Sequence, residues 1–300
     1  MSVKKLDELI ELAKSRTKKR LIVAYGQDAH SIEAVSEAID NGVVEATLVG
    51  DENVIKEVCA AEGIDVNKFT IVHEPVDVAA GMKSVQLINE GKGDMIMKGL
   101  ISSDKYMRCI LNKEKGITNR GAVLSHISVF EVPTYHKLLI TSDVAVIPFP
   151  DMKQKVAITN YLIKTAHRLN IEKPKVALIC LSEATNPKIP QTVDAAVISK
   201  MADRGQIKGA FVDGPMGLDL AIDKEAVEIK KFQSDVAGDA DCLQWSNIEA
   251  GNVFYKTATK LMHAELAAIV VGARVPAILS SRGDSSKTKL YSITLAALMA

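Results

Sequence analysis

Residues 78–108 read VAAGMKSVQLINEGKGDMIMKGLISSDKYMR, and the order of patterns in this stretch decides the fold class. The first part has helical apolar spacing and stops at Gly91, where a helix C-cap takes glycine. DMIMKG follows, an apolar run of strand length. A Ser-rich turn then leads into a further helix. Helix, buried strand, turn and helix in succession are the repeating unit of an α/β protein.

The same alternation extends outward. Strand-length apolar runs recur as RLIVAY, EATLVG, FTIVH, AVLSHISVF, KLLI, VAVIPF, KVALICL, KGAFVDG, DCLQW, AAIVVG and VPAIL. Helical segments such as SIEAVSEAIDNG lie between most of them. Continuous apolar strands alternating with helices imply parallel sheets covered on both faces. About a dozen strands exceed one compact sheet, so two doubly wound α/β domains are expected. The stretch GAVLSHISVFEVPTYHKLLITSD breaks the alternation and marks a crossing between domains. The expected first domain is residues 1–125 plus 272–300, and the second is residues 126–271. An interdomain cleft at strand C-terminal ends is where such sheets bind ligands.

Composition excludes several classes. Of 300 residues, 47% are hydrophobic and 25% charged, and the formal net charge is zero. That balance suits a globular core and gives no basic excess for nucleic acid or an acidic membrane. The four cysteines are scattered without a CxxC pair, which signals neither zinc nor a disulfide framework. The opening MSVKKLDELIELAKSR is amphipathic, and no apolar run approaches the roughly 18 residues that span a bilayer. A cytoplasmic protein is expected.

Chemistry concentrates at three strand ends. SSRGDSSKTK, after VPAIL, opens the last helix. Helix-start N–H groups attract anions, Ser hydroxyls add donors, and the Arg282 fork suits phosphate oxygens. On chemistry alone this reading and a plain N-cap at Ser281, Asp284 or Ser285 are equally balanced. Lys98, Ser102, Ser103 and Arg108 form the second group, with Arg108 free to face either a cleft or solvent. VDGPMGLDLAI forms the third: Asp213 and Asp219 read as a Gly-Pro turn and a helix cap more readily than as metal ligands. Gly251 and Asn252 interrupt a helical pattern, which points to close packing or ligand approach. His126 and His136 are expected to be buried and bonded, or exposed. There is no GxSxG, P-loop or GxGxxG sequence.

Taken together, DMIMKGLISS, VLSHISVFE, LLITSDVA, NPKIPQTVDAAVISKMADRGQIKGAFVDGP, VAGDADCL, NIEAGNVFYKT and SRGDSSKTKLYSITLAAL resemble the phosphate acyltransferases end to end. Within them the resemblance is to the phosphate butyryltransferases. It implies transfer of a short acyl group between coenzyme A and inorganic phosphate, with coenzyme A as substrate and no metal or other cofactor. It also implies two α/β domains of the isocitrate and isopropylmalate dehydrogenase type, and a homodimer or higher assembly. The acetyl-transferring relatives carry an SRG motif, matched by Ser281, Arg282 and Gly283. By that resemblance Ser281 steadies the developing charge, Arg282 holds phosphate and Arg108 touches substrate. Lys260 lies near a further Arg of those relatives. Their base is an Asp at the position of Thr288, so Asp284 becomes the first candidate base here. Lys98, Ser102, Ser103, Gly283 and Ser285 complete the expected phosphate and coenzyme A contacts. The rival readings are phosphate acetyltransferase, a metal- and NAD(P)-dependent decarboxylating dehydrogenase, and a non-catalytic acyl-CoA sensor.

Overall fold

The structure is a computed structural model describing residues 2–279 and 284–300. In chain order the elements are α1 (Asp7–Lys14), β1 (Lys19–Ala24), α2 (Ala29–Asp40), β2 (Val44–Gly50), α3 (Glu52–Ala61), β3 (Thr70–His73), α4 (Asp77–Asn89), β4 (Met95–Lys98) and α5 (Ser103–Ile110). They continue with β5 (Ser125–Glu131), β6 (Leu139–Ser142), α6 (Met152–Arg168), β7 (Lys175–Ile179), α7 (Pro190–Asp203), β8 (Phe211–Met216), α8 (Leu218–Ile222), α9 (Lys224–Lys230), β9 (Cys242–Gln244) and α10 (Ile248–Lys260). Last come β10 (Glu265–Val271), β11 (Ala277–Ile278) and α11 (Ser286–Met299).

The chain forms two compact units. One comprises the described residues of 6–124 and 266–300, with strand order β3-β2-β1-β4-β11-β10. Its first five strands in that order run parallel, and β10 is antiparallel to β11. From β1 the chain builds β2 and β3 to one side, then crosses back to place β4 on the other. Right-handed crossovers therefore put α2 and α3 on one face and α4 on the opposite face. Consistent with this, α11 packs with α1 and α2, and α4 packs with α5. The reversal of strand order between β1 and β4 is the topological switch point of this sheet.

The other unit comprises residues 2–5 and 125–265, with order β5-β6-β9-β7-β8. Strands β6, β9, β7 and β8 are parallel, and β5 is antiparallel to β6. Three boundaries differ from the sequence reading, one of them only by Ser125, which belongs with the unit of residues 125–265. Residues 266–271 join the unit of residues 6–124, because β10 pairs with β11. Residues 2–5 join the other, where Val3 N donates to Leu169 O at 3.1 Å.

Local sequence explains the helix starts. Asp28, Asp51, Ser102, Asn247 and Ser285 each cap a helix with their own side chain, and Asp151 with Gln154 forms a capping box. Gly91 follows α4 with φ 70°, the left-handed turn expected of it. One expected strand is absent: VAVIPF is a loop. The Asp143 carboxylate, 2% exposed, accepts the N–H groups of Ala145 and Val146 at 2.8 Å and of Ile147 at 3.2 Å. Those bonds curl the chain, and Pro148 and Pro150 keep it out of a ladder. Gly214 and Pro215, read as a turn, lie within β8 at the edge of its unit, where the register with β7 shifts.

Candidate functional site

Three parallel strands, β1, β4 and β11, lie side by side in one unit and end together at one edge of the sheet. Ile278 is in register with Met97, and Ala24 with Lys98. The fold thus brings together the two polar junctions that are about 180 residues apart in sequence.

At the end of β4, Lys98 is 2% exposed and its Nζ donates to Gly99 O at 3.1 Å and Ile101 O at 3.2 Å. A buried ammonium is tolerated because it is hydrogen-bonded, and here it closes its own turn. The turn rests directly on the end of β1: Leu100 N donates to Tyr25 O at 2.9 Å. A Cβ on Gly99 would lie 2.4 Å from Tyr25 O, so only glycine allows this approach. Tyr25 itself has φ 56°, an unusual backbone for a non-glycine residue at a switch point. Ser102 caps α5, accepting Lys105 N, and Ser103 is the exposed first residue of that helix. Arg108 points to solvent, its side chain 78% exposed and paired with Asp104 at 3.0 Å.

At the end of β11, residues 280–283 lie outside the described residues, and with them Ser281, Arg282 and Gly283. The chain resumes at Asp284, half-buried, whose carbonyl accepts Lys289 Nζ at 3.0 Å. Ser285 caps α11 through Thr288 N at 3.2 Å, and its Oγ also meets Thr288 Oγ1 at 3.1 Å. Ser286 Oγ donates to Glu33 Oε2 at 2.5 Å, tying the start of α11 to α2. That hydrogen bond holds the Glu33 carboxyl below the usual range.

Sequence reasoning missed Lys289. It is 2% exposed, in the first turns of a helix buried from that residue to Met299. The signal lay in plain view: a lysine on a helix with no polar face has nowhere to snorkel. Two buried ammonium groups, Lys98 and Lys289, therefore stand where β4 and α11 meet, beside the capped starts of α5 and α11. Positive charge and helix-start N–H groups at one sheet edge suit a small anion.

Elsewhere the polar clusters are structural. Asp213 accepts from Ser199 Oγ at 3.1 Å and Gly214 N at 2.8 Å, and Asp219 pairs with Lys230 at 2.9 Å. Among the described residues no cluster of three or more His, Cys, Asp and Glu is placed to hold a metal. His126 is buried beside Ser128, and exposed His136 meets Asp239 at 2.9 Å. Burial raises all four thiols, Cys180 up to about 11, so none is a ready nucleophile. No helix among the described residues is long and apolar enough to cross a membrane.

The family model described as Phosphate acetyl/butaryl transferase matches residues 5–80 and 67–297. The chain belongs to the phosphate acetyl/butyryl transferase family. It is 46% identical to a phosphate butyryltransferase of Clostridium acetobutylicum, covering 99% of both chains. It is 39% identical to a phosphate acetyltransferase of Thermotoga maritima, covering 98% of this chain and 99% of the other. Its fold is similar to the crystal structure of a branched-chain phosphotransacylase from Enterococcus faecalis V583, with TM-score 0.82 and 28% identity over 94% of this chain and 98% of that one. This member of the phosphate acetyl/butyryl transferase family therefore shares both sequence and fold along nearly its whole length.

Proposed function

We propose that this protein transfers a short acyl group, butyryl or a similar straight or branched chain, between coenzyme A and inorganic phosphate. The observation that carries the reading is the full-length similarity to phosphate butyryltransferases, with the SRG sequence at residues 281–283. The described residues before and after it support the reading: buried Lys98 and Lys289 and two capped helix starts gather at one sheet edge. In the reading, transfer is direct. The coenzyme A thiolate attacks the carbonyl carbon of the acyl phosphate, the new C–S bond forms, and the C–O bond to phosphate breaks as phosphate leaves.

Ser281 donates to the oxyanion and Arg282 holds phosphate, while Gly283, Ser285, Ser102, Ser103 and Lys98 shape the anion site. Arg108 joins the site by swinging from Asp104, an exchange of one weak exposed ion pair for another partner. A thiol of pKa about 8.5 gains from a base, and Asp284 is the candidate. Thr288 gives its backbone N–H to the Ser285 cap of α11 and its hydroxyl meets the same Oγ, and a Thr hydroxyl is not a useful base. The expected setting is cytoplasmic, as a homodimer or an assembly of dimers, with no metal or redox cofactor.

The test is release of coenzyme A from butyryl-CoA, followed with a thiol reagent. Release is expected only when phosphate is added. No phosphate-dependent release with any short acyl-CoA overturns the reading, and NAD(P) reduction instead would favour the dehydrogenase alternative. Arg282→Ala is expected to raise the KM for phosphate and lower kcat. Asp284→Asn is expected to remove the acid limb of the pH–rate profile; an unchanged profile excludes Asp284 as the base.

A further inference from the structure

Helix α11 is tied down along its first two turns. Ser286 Oγ donates to Glu33 of α2 at 2.5 Å, the Tyr291 hydroxyl donates to Asp7 of α1, and Ser292 Oγ accepts Ala268 N of β10 at 3.0 Å. Lys289 is the fourth residue of this helix and is 2% exposed. Helix stability does not ask for a lysine there. Burying an ammonium costs free energy, and positive charge near a helix N-terminus opposes the helix dipole. Lys287, on the same helix, is exposed; Lys289 is not. A residue that breaks two local rules at a candidate site calls for another explanation, and its contact supplies one.

Helical side chains lean toward the N-terminus. The Lys289 side chain runs back along the helix and donates from Nζ to Asp284 O at 3.0 Å. Asp284 precedes the Ser285 N-cap, so this carbonyl lies outside the helix, and the bond anchors the peptide through which the chain enters α11. The same device closes the turn after β4, where buried Lys98 donates to Gly99 O and Ile101 O. A base at position 288 would stand on the helix itself. One at position 284 lies before the N-cap and needs a separate anchor. A general base has to stand within hydrogen-bond reach of its proton, and a misplacement of about 1 Å costs on the order of a hundredfold in rate. We propose that Lys289 is a positioning residue: its buried ammonium holds the Asp284 backbone so that the carboxylate is aimed at the coenzyme A thiol. It acts through Asp284 and not on substrate. The role rests on the acyl-transfer reading with Asp284 as base.

A double-mutant cycle tests this, with phosphate-dependent release of coenzyme A from butyryl-CoA as the assay and hydrogen exchange of residues 284–288 beside it. Lys289→Met keeps the apolar bulk and removes the charge and the donor. It is expected to fold, to lower kcat about tenfold, and to leave KM for phosphate and for butyryl-CoA within about twofold. Exchange at residues 284–288 is expected to quicken. Asp284→Asn combined with Lys289→Met is expected to be no slower than Asp284→Asn alone, because the lysine works through the aspartate. Lys289→Arg keeps a donor and is expected to lose less; it carries the cycle where Lys289→Met does not fold. Losses that add in the double variant overturn the proposal. So does a raised KM for phosphate at unchanged kcat, the mark of direct binding, or a folded Lys289→Met enzyme with wild-type kinetics. A silent Asp284→Asn leaves the acyl-transfer reading in place and removes the role of Lys289, whereas a wild type without phosphate-dependent release removes both.

Discussion

Lys98 shows how one residue changes meaning between sequence and structure. Read along the chain it is a polar group at a strand end, available to a phosphate. In the fold its ammonium donates to two carbonyls of its own turn. Lys98→Met leaves both without that donor, and is expected to destabilise the protein by roughly 2 kcal/mol, seen as a lower urea midpoint. A lysine that served only substrate would leave the midpoint in place. Ser285 has an analogous double reading. Ser285→Ala removes the cap on Thr288 N and is expected to cost about 1 kcal/mol by the same measurement. Serine excess at this junction was legible in the sequence; its division between capping and binding was not, because a hydroxyl does both with the same atoms.

Elements fail to follow local propensity where a buried group outbids it. VAVIPF has the composition of a strand, yet the Asp143 carboxylate collects N–H groups from Ala145, Val146 and Ile147, together with His126 N at 3.2 Å and Ser125 Oγ at 2.9 Å. Nothing local to VAVIPF reveals that acceptor, since two of its partners come from β5. Asp143→Ala strands several buried donors and is expected to destabilise by about 3 kcal/mol or more, measured by denaturant unfolding. Helix α10 behaves in the opposite way: its glycine, costly in a helix, is explained by Asp143 O lying where a side chain would go. Gly251→Ala therefore gains helix propensity yet is expected to lose about 1–3 kcal/mol through overpacking.

At the scale of the molecule, stability should respond to acid through Asp239. Burial alone would raise its pKa, but hydrogen bonds from Lys175 and Lys137 outweigh it and hold the carboxyl well below the usual range. A depressed folded pKa contributes stability that is fully present above the unfolded value, about 4, and is lost as pH falls below it. Urea unfolding between pH 5 and pH 2, both settings of about that size around the unfolded value, is expected to show a steeper acid loss for wild type than for Asp239→Asn. Equal slopes would remove Asp239 from the acid response.

The sequence by itself determined the α/β class, nearly every strand, the helix starts and the family. These follow from periodicity, capping residues and long ordered motifs, all of which are local or need only the order of residues along the chain. Only the tertiary structure decided that β1, β4 and β11 end side by side, that Lys98 and Lys289 are buried there, and that β10 belongs with the earlier unit. Each of those depends on strands distant in sequence becoming neighbours. The polarity of SSRGDSSKTK is legible in the sequence, but that β4 with its buried Lys98 ends beside β11 is not.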